Sequence, residues 1–406
     1  MDTSVQKMDS IRRTGHFLTN CRESAKLGEM FQNIFETLTL IASAAVQWFF
    51  YRTPLPKDFR PKRILVVKLD HIGDVLLATP VFSNLRQTYP DAELHALTGA
   101  WSRVVLERHP DVNEVLEYNS PVFCRTGRPT SLRETLQLYK QLCHKKYDLL
   151  VSLRSDWRTV CFSLLRVTPN RLDRAALQVA NKLGSPQFTG IHETTRNLDV
   201  LHKAGILTPI QTTIFSVAAE DEKWASDFLE GLHIDRECPL IAIHPGSPVP
   251  IKRWMPERYA ELGDWLIARK RAQILFVGVA AEIPIITEIQ GLMRAETNNI
   301  AGKTSLTQLA SILHTCNMFI GNDSGPMHLA AAVGTRTIGL YGPGDPTRFG
   351  PVGTMCQTIR RKTDCPPCPE TTCRFGEDGC MSKIRVADVI QTLESAGYLA
   401  AEDSKI

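Results

Sequence analysis

Two carboxylates four residues apart mark the first place where this sequence could do chemistry. Asp70 and Asp74 lie in Lys68-Leu69-Asp70-His71-Ile72-Gly73-Asp74, directly after the apolar run Ile64 to Leu69. Glycine permits a tight turn there, and the start of a helix favours a negative charge. Asp74 then has two readings: it caps the helix, or it takes a proton from a hydroxyl nucleophile at the mouth of a cleft. His71 reads as a turn residue.

A second constellation is His244-Pro245-Gly246-Ser247 followed by Lys252-Arg253-Trp254. Its small residues let backbone N–H groups approach a ligand, and its two cations can reach phosphate oxygens, Arg in bidentate fashion and Lys as a point charge. The alternative is a solvated loop with ordinary surface cations, although Trp254-Met255-Pro256 indicates that the loop folds back and packs. A third is Gly321-Asn322-Asp323-Ser324-Gly325-Pro326-Met327-His328. It reads as a strand end, a helix cap at Asp323 and a proline in the first turn. Free N–H groups and the helix dipole suit a diphosphate at such a terminus, with His328 one turn in on the same side; a capped helix without ligand is the alternative.

Other matches fail. Gly302-Lys303-Thr304 lacks the first glycine of a phosphate-binding Walker loop, because Thr297 occupies that place. Asp323-Ser324-Gly325-Pro326 resembles a serine-protease nucleophile loop, but it opens a helix in an α/β chain.

These loops need strands and helices to hold them. Ile64–Leu69 is expected to be a strand covered on both faces, followed by one helix from Val75 to Tyr89 that Pro90 ends. Glu93–Leu97, Val112–Tyr118 and Tyr147–Leu153 read as strands and Leu132–Lys145 as a helix. After a loop near 208–212 come strands Leu240–His244, Gln273–Val277, Met318–Gly321 and Thr337–Tyr341. Helices Pro256–Arg269, Pro284–Met293, Ser305–His314 and Pro326–Val333 fit between them. The alternation predicts two βαβ halves, with ligands beyond the C-terminal strand ends.

The whole chain is consistent with this. Its 406 residues exceed what one core organises, and 43% apolar with 22% charged residues excludes a disordered, collagenous or polytopic membrane protein. A net charge of +4 is too mild for a dedicated nucleic-acid binder. All of that excess falls in residues 52–63, which carry five cations against one acid. The apolar stretch from Thr37 to Tyr51 is 15 residues long, short of the roughly 20 that span a bilayer. Eleven cysteines, an odd number, without an evident signal peptide predict a reducing compartment.

Taken together, the ordered segments ILVVKLDHIGDVLLATPVFSNLR, IAIHPGS with KRWMPERY, FVGVAAE, AGKTSLTQLA and IGNDSGPMHLAAAVGTRTIGLYGP resemble glycosyltransferase family 9, the heptosyltransferases of lipopolysaccharide core assembly. The likeness covers residues 62 to 395, and the cysteine run from Cys365 to Met381 resembles the heptosyltransferase II branch. It implies a GT-B fold of two Rossmann-like α/β domains with parallel sheets facing a cleft. The corresponding boundaries are an extension at 1–60, an acceptor domain at 61–210, a donor domain at 211–384 and a C-terminal helix and tail at 385–406. It further implies an inverting transfer of a sugar, heptose from ADP-heptose, to a lipopolysaccharide-core or related envelope glycan. Asp74 would be the general base, with Asp70 and Gly73 on the acceptor-side loop. Lys252 would contact phosphate, and Asp323, Ser324, Gly325 and His328 would form the pyrophosphate loop beside Ser247. Glu282 would lie near the donor's sugar or ribose and Thr304 near its base. Leaving-group charge would be met by Lys252 and the helix terminus, without a catalytic metal; no Asp-x-Asp metal motif is present. The apolar Pro248-Val249-Pro250-Ile251 departs from the polar loop of heptosyltransferases, which weakens the donor assignment and not the reaction class. The alternatives are another nucleotide sugar and acceptor, or a non-catalytic nucleotide-sugar-binding scaffold.

Cys365, Cys368, Cys373 and Cys380 have ligand-like spacing for a structural zinc; reduced thiols or reversible disulfides are the other readings. Trp48-Phe49-Phe50-Tyr51 beside the basic stretch suits a headgroup interface, or else a helix packed on the body. A cytoplasmic protein peripheral to the inner membrane face, with no nucleic-acid partner, is the resulting expectation.

Overall fold

The computed structural model describes residues 58–119, 128–153, 170–174, 190–361 and 378–397, with Ile41, Leu55, Pro56, Thr168, Cys365, Cys373 and Phe375. The apolar segment 42–51 and Cys368 lie outside the described residues.

The first half comprises β1 (Arg63–Val67), α1 (Ile72–Leu76), α2 (Thr79–Thr88), β2 (Glu93–Thr98), α3 (Arg103–Glu107), β3 (Glu114–Glu117), α4 (Leu132–Lys145), β4 (Leu149–Ser152), β5 (Asn170–Asp173) and α5 (Glu193–His202). Its strands pair in parallel in the order β3-β2-β1-β4-β5. Ile64, Leu65, Val66 and Val67 are fully buried, as a central parallel strand covered on both faces requires. The second half comprises α6 (Ala219–Gly231), β6 (Leu240–His244), α7 (Pro256–Lys270), β7 (Gln273–Phe276), α8 (Ile283–Leu292), β8 (Asn298–Asn299), α9 (Leu306–Thr315), β9 (Met318–Asn322), α10 (Gly325–Ala332), β10 (Arg336–Tyr341), α11 (Pro346–Phe349), β11 (Cys356–Arg360) and α12 (Val386–Ser395). It forms a second parallel sheet, β11-β10-β9-β6-β7-β8.

Where the structure departs from the sequence expectation, the reason is local. The single helix expected over Val75–Tyr89 is two, α1 and α2. Pro80 has no N–H to give to the Leu76 carbonyl, and the Thr79 hydroxyl takes that carbonyl instead at 2.8 Å. The strand β5 had no apolar run to announce it: its sequence is NRLD, and the buried Arg171 and Asp173 neutralise each other two residues apart on one strand face. The polar edge strands β8 and β11 and the acidic helix α6 were also unforeseen. By contrast, α4 keeps the expected bounds Leu132–Lys145: the capping box of Ser131 and Glu134 starts it and a left-handed Lys146 ends it.

Polar bonds stitch the halves together through the segment that joins them. The Asn84 amide donates to the Ile210 carbonyl at 2.7 Å and accepts from Ile210 N–H at 3.2 Å. The Thr79 oxygen accepts from Ile214 N–H at 3.1 Å, and Phe215 N–H donates to the Ala332 carbonyl at 3.1 Å. The largest buried apolar cluster correspondingly extends from the first sheet into α6, α9 and α10. Among the described residues no helix is long and apolar enough to cross a membrane. Arg63, one of the basic residues of 52–63, is already engaged by Glu93 at 2.5 Å and by the Lys145 carbonyl.

Thr79→Val keeps the shape and removes both bonds of a fully buried hydroxyl, leaving the Leu76 carbonyl and Ile214 N–H unpaired. A loss of about 1–3 kcal/mol is expected in urea unfolding, and an unchanged midpoint would refute this role.

Candidate functional site

The loop after β1 is built around a buried lysine. Lys68 extends the apolar strand β1 and is 2% exposed, so its ammonium needs partners. Its Nζ lies 3.2 Å from Asp70 Oδ2 and 3.8 Å from Glu193 Oε1. The Asp70 carbonyl accepts from Trp101 Nε1 at 2.8 Å and Ser102 Oγ at 2.9 Å, which fastens the loop to the segment after β2. Asp70 therefore anchors the loop, and its carboxylate turns to Lys68.

Asp74 stands in the first turn of α1 and does not cap it: His71 is at the cap position and no side chain accepts there. Burial pushes the Asp74 pKa up, with the Lys68 charge opposing and that of Glu193 assisting. Beneath it, Arg174 holds Glu193 through both guanidinium nitrogens and also donates to Asn197 at 3.1 Å. Burial alone would raise Glu193, but its bond to Arg174 and the charges of Arg174, Lys68 and Arg348 hold it at about 2. Arg348 Nε, from α11 of the second half, lies 3.8 Å from Glu193 Oε2, and His192 Nε2 meets the Gly350 carbonyl at 3.0 Å.

On the other side, the loop after β6 is carried by Asn322 at the end of β9. Its fully buried amide donates to the carbonyls of Pro245 at 2.7 Å and Gly246 at 3.3 Å. Its oxygen accepts from Trp254 N–H at 3.1 Å and Tyr259 Oη at 3.0 Å. Trp254 is fully buried and donates to the Ile384 carbonyl at 2.9 Å, so the loop does fold back. Pro250–Lys252 form a 3₁₀ turn; the apolar stretch that departs from the family pattern is thus a stiff mount for Lys252. Lys252 Nζ reaches Asp323 Oδ2 at 2.6 Å. Asp323 therefore does not cap α10 as expected. Ser324 occupies the cap position, and no side chain accepts from the first-turn N–H groups.

The two sides meet where α1 packs on α10. A Cβ on Gly73 would come within 2.9 Å of the His328 ring, so the glycine lets α10 approach the turn that carries Asp74. His328 is 7% exposed, and burial lowers its pKa to about 4, so its ring is neutral at physiological pH. Glu282 lies against Gly246 and Gly278, where a Cβ would overlap its carboxylate. Ser247 is buried and accepts from Val249 N–H at 3.2 Å. Thr304 follows Gly302, whose left-handed φ of +72° and bond to the Gly278 carbonyl pin that turn beside the Glu282 loop.

The structure thus brings Gly73, Asp74, Lys252, Asp323, Ser324, Gly325 and His328 into one region at the C-terminal strand ends, with Ser247, Glu282 and Thr304 on neighbouring turns. Sequence reasoning missed Lys68, Arg174, Glu193 and Arg348. A lysine ending a buried apolar run was the one available signal; the other three are brought near it only by folding. Cys365, Cys373 and Cys380 are free thiols. Among the described residues no three His, Cys, Asp or Glu side chains are grouped to hold a metal, so the zinc reading gains no support.

Comparison with known proteins bears on the family. The profile of glycosyltransferase family 9 (heptosyltransferase) matches residues 135–378. Lipopolysaccharide heptosyltransferase 3 of Escherichia coli K12 is 30% identical over 283 residues, which cover 67% of this chain and 80% of that protein. The glycosyl transferase family 9 structure from Veillonella parvula superposes with a TM-score of 0.73 at 24% identity, covering 86% of this chain and all of that one. Escherichia coli ADP-heptose lipopolysaccharide heptosyltransferase II superposes at 0.64, also 24% identical, covering 82% and 98%. These two likenesses show the GT-B fold, and the profile match together with the 30% identical heptosyltransferase establishes that the chain belongs to glycosyltransferase family 9.

Proposed function

We propose that this enzyme transfers heptose from ADP-heptose to a lipopolysaccharide-core or related envelope glycan, with inversion at the anomeric carbon and Asp74 as general base. The observation that carries the reading is the seam at Gly73 and His328, which sets the Asp74 carboxylate beside the helix suited to a diphosphate. The relatives' names, heptosyltransferases 3 and II, support the sugar and the acceptor class.

The chemistry follows from the residues. An acceptor hydroxyl oxygen attacks the anomeric carbon while the bond from that carbon to the diphosphate oxygen breaks, and the hydroxyl proton passes to Asp74. A carboxylate whose pKa is raised by burial is a better base near neutral pH than an exposed one. The departing diphosphate gains charge, which the α10 N–H groups and Lys252 would meet. Lys252 has three donors and Asp323 engages one of them, so phosphate oxygens can take the others. No step in this scheme calls for a metal. The domain assignment, with acceptor at 61–210 and donor at 211–384, is part of the same reading. So is a peripheral location, in which Thr37–Tyr51 and the basic stretch would lie on the cytoplasmic membrane surface.

Asp74→Ala is expected to abolish heptose transfer while ADP still binds; transfer at the wild-type rate would sink the mechanism. Because Asp74 must be ionised and its pKa is raised, kcat/KM should fall with acid from above the ordinary carboxylate range. Glu193→Gln removes the negative charge that helps raise Asp74, so this acid limb should move to lower pH. The same change leaves Arg174 and Lys68 short of a buried counter-charge and should cost about 3–5 kcal/mol of stability by urea unfolding. Release of ADP, rather than GDP or UDP, from the matching sugar nucleotides with an extracted envelope acceptor tests the donor. Deleting residues 1–51 should reduce co-sedimentation with anionic vesicles, and equal sedimentation would count against the interfacial segment.

A further inference from the structure

His244 ends β6, is buried, and touches two donor-side groups at once. Its Nε2 lies 3.1 Å from Glu282 Oε2, and its Nδ1 lies 3.0 Å from Ser324 Oγ. A carboxylate only accepts, so in the neutral ring Nε2 carries the proton and Nδ1 accepts the Ser324 hydroxyl; either way the ring engages that hydroxyl. Glu282 Oε2 also accepts from Val279 N–H at 2.8 Å, which leaves Oε1 as the oxygen turned toward Gly246. Ser324 stands at the cap of α10, where a serine ordinarily accepts from an N–H of the first turn. Pro326 has no N–H to offer, so Met327 N–H is the natural partner, and the pull of His244 keeps Ser324 away from it.

We infer that His244 is a positioning residue of the donor site. It holds the Ser324 hydroxyl off its own helix so that the α10 N–H groups stay open to a nucleoside diphosphate. With its other nitrogen it fixes Glu282 to accept from a sugar or ribose hydroxyl of the same donor. This rests on the donor reading above. The ring forms no bond to the donor and transfers no proton.

The test uses the full chain and ADP titrated by calorimetry, with donor kinetics alongside. His244→Phe should weaken ADP binding about tenfold, the worth of one hydrogen bond to a charged group, and raise the donor KM more than it lowers kcat. In that background Ser324 is free to cap α10 itself, so His244→Phe/Ser324→Ala should bind ADP more tightly than His244→Phe alone. Should the phenylalanine variant fail to fold, His244→Asn, which can keep the Ser324 bond, should bind ADP more tightly than His244→Gln, whose longer amide reaches toward Glu282. A folded His244→Phe that binds ADP like the wild type overturns the inference. So does a double variant no tighter than the single one, or equal binding by the Asn and Gln variants. Wild-type protein that binds none of ADP, GDP and UDP overturns the donor reading itself, which separates the two failures.

Discussion

One buried amide holds the loops at the ends of β6 and β9 in place. Asn322 ends β9 and offers two donors and one acceptor oxygen to a region with carbonyls and N–H groups to satisfy. It binds the carbonyls of Pro245 and Gly246, the N–H of Trp254 and the hydroxyl of Tyr259. The loop after β6, the start of α7 and the end of β9 are therefore fixed to one point. Trp254 extends the same point to the Ile384 carbonyl near α12. Any residue without both hydrogen-bonding capacities would leave several buried polar groups unpaired, each costing about 1–3 kcal/mol.

The two sides of the cleft solve opposite electrostatic problems. The side with Asp74 is dense in ionised groups: Lys68, Arg174 and Arg348 gather around Asp70, Asp74 and Glu193. Their mutual compensation lets Glu193 stay ionised while burial raises Asp74. The opposite side relies on dipoles. It has uncapped N–H groups and a neutral His328, and its charges are fewer and engaged: Lys252 by Asp323, Arg253 by the Ser247 carbonyl and Glu282 by His244. On the proposed reading such a surface would receive a diphosphate without placing a second strong positive cluster against the arginines. The glycine at 73 is the junction, because only the absence of a Cβ lets the His328 ring reach the turn that bears Asp74.

Much of this was legible in the chain. Apolar runs ending in small residues located β1, β6 and β9 and the three loops after them, since a strand buried on both faces must be apolar throughout. Strands stabilised by polar pairing were not legible. β5 depends on Arg171 meeting Asp173 inside the protein, and no periodicity announces that. The break between α1 and α2 was readable in principle from Thr79-Pro80, yet the compensating bond from Thr79 to Leu76 decides that the chain turns there. Likewise Asp323 looked like a helix cap by spacing, and only the nearness of Lys252, 71 residues away, explains why it is not.

The sequence by itself determined the reaction class and the identity of the loops, because motif order and local turn chemistry are properties of neighbouring residues. It determined that Asp74, Lys252 and the Asp323–His328 segment follow the ends of buried strands. The tertiary structure alone decided what surrounds them: the burial that raises Asp74, the Arg174–Glu193 pair beneath it, and the His244 ring between Glu282 and Ser324. Those effects arise between residues far apart in sequence: 19 positions separate Arg174 from Glu193 and 80 separate His244 from Ser324, while Asp74 feels charges as distant in the chain as Arg348. Such energies depend on distance in space and on exclusion of water, neither of which a linear pattern carries.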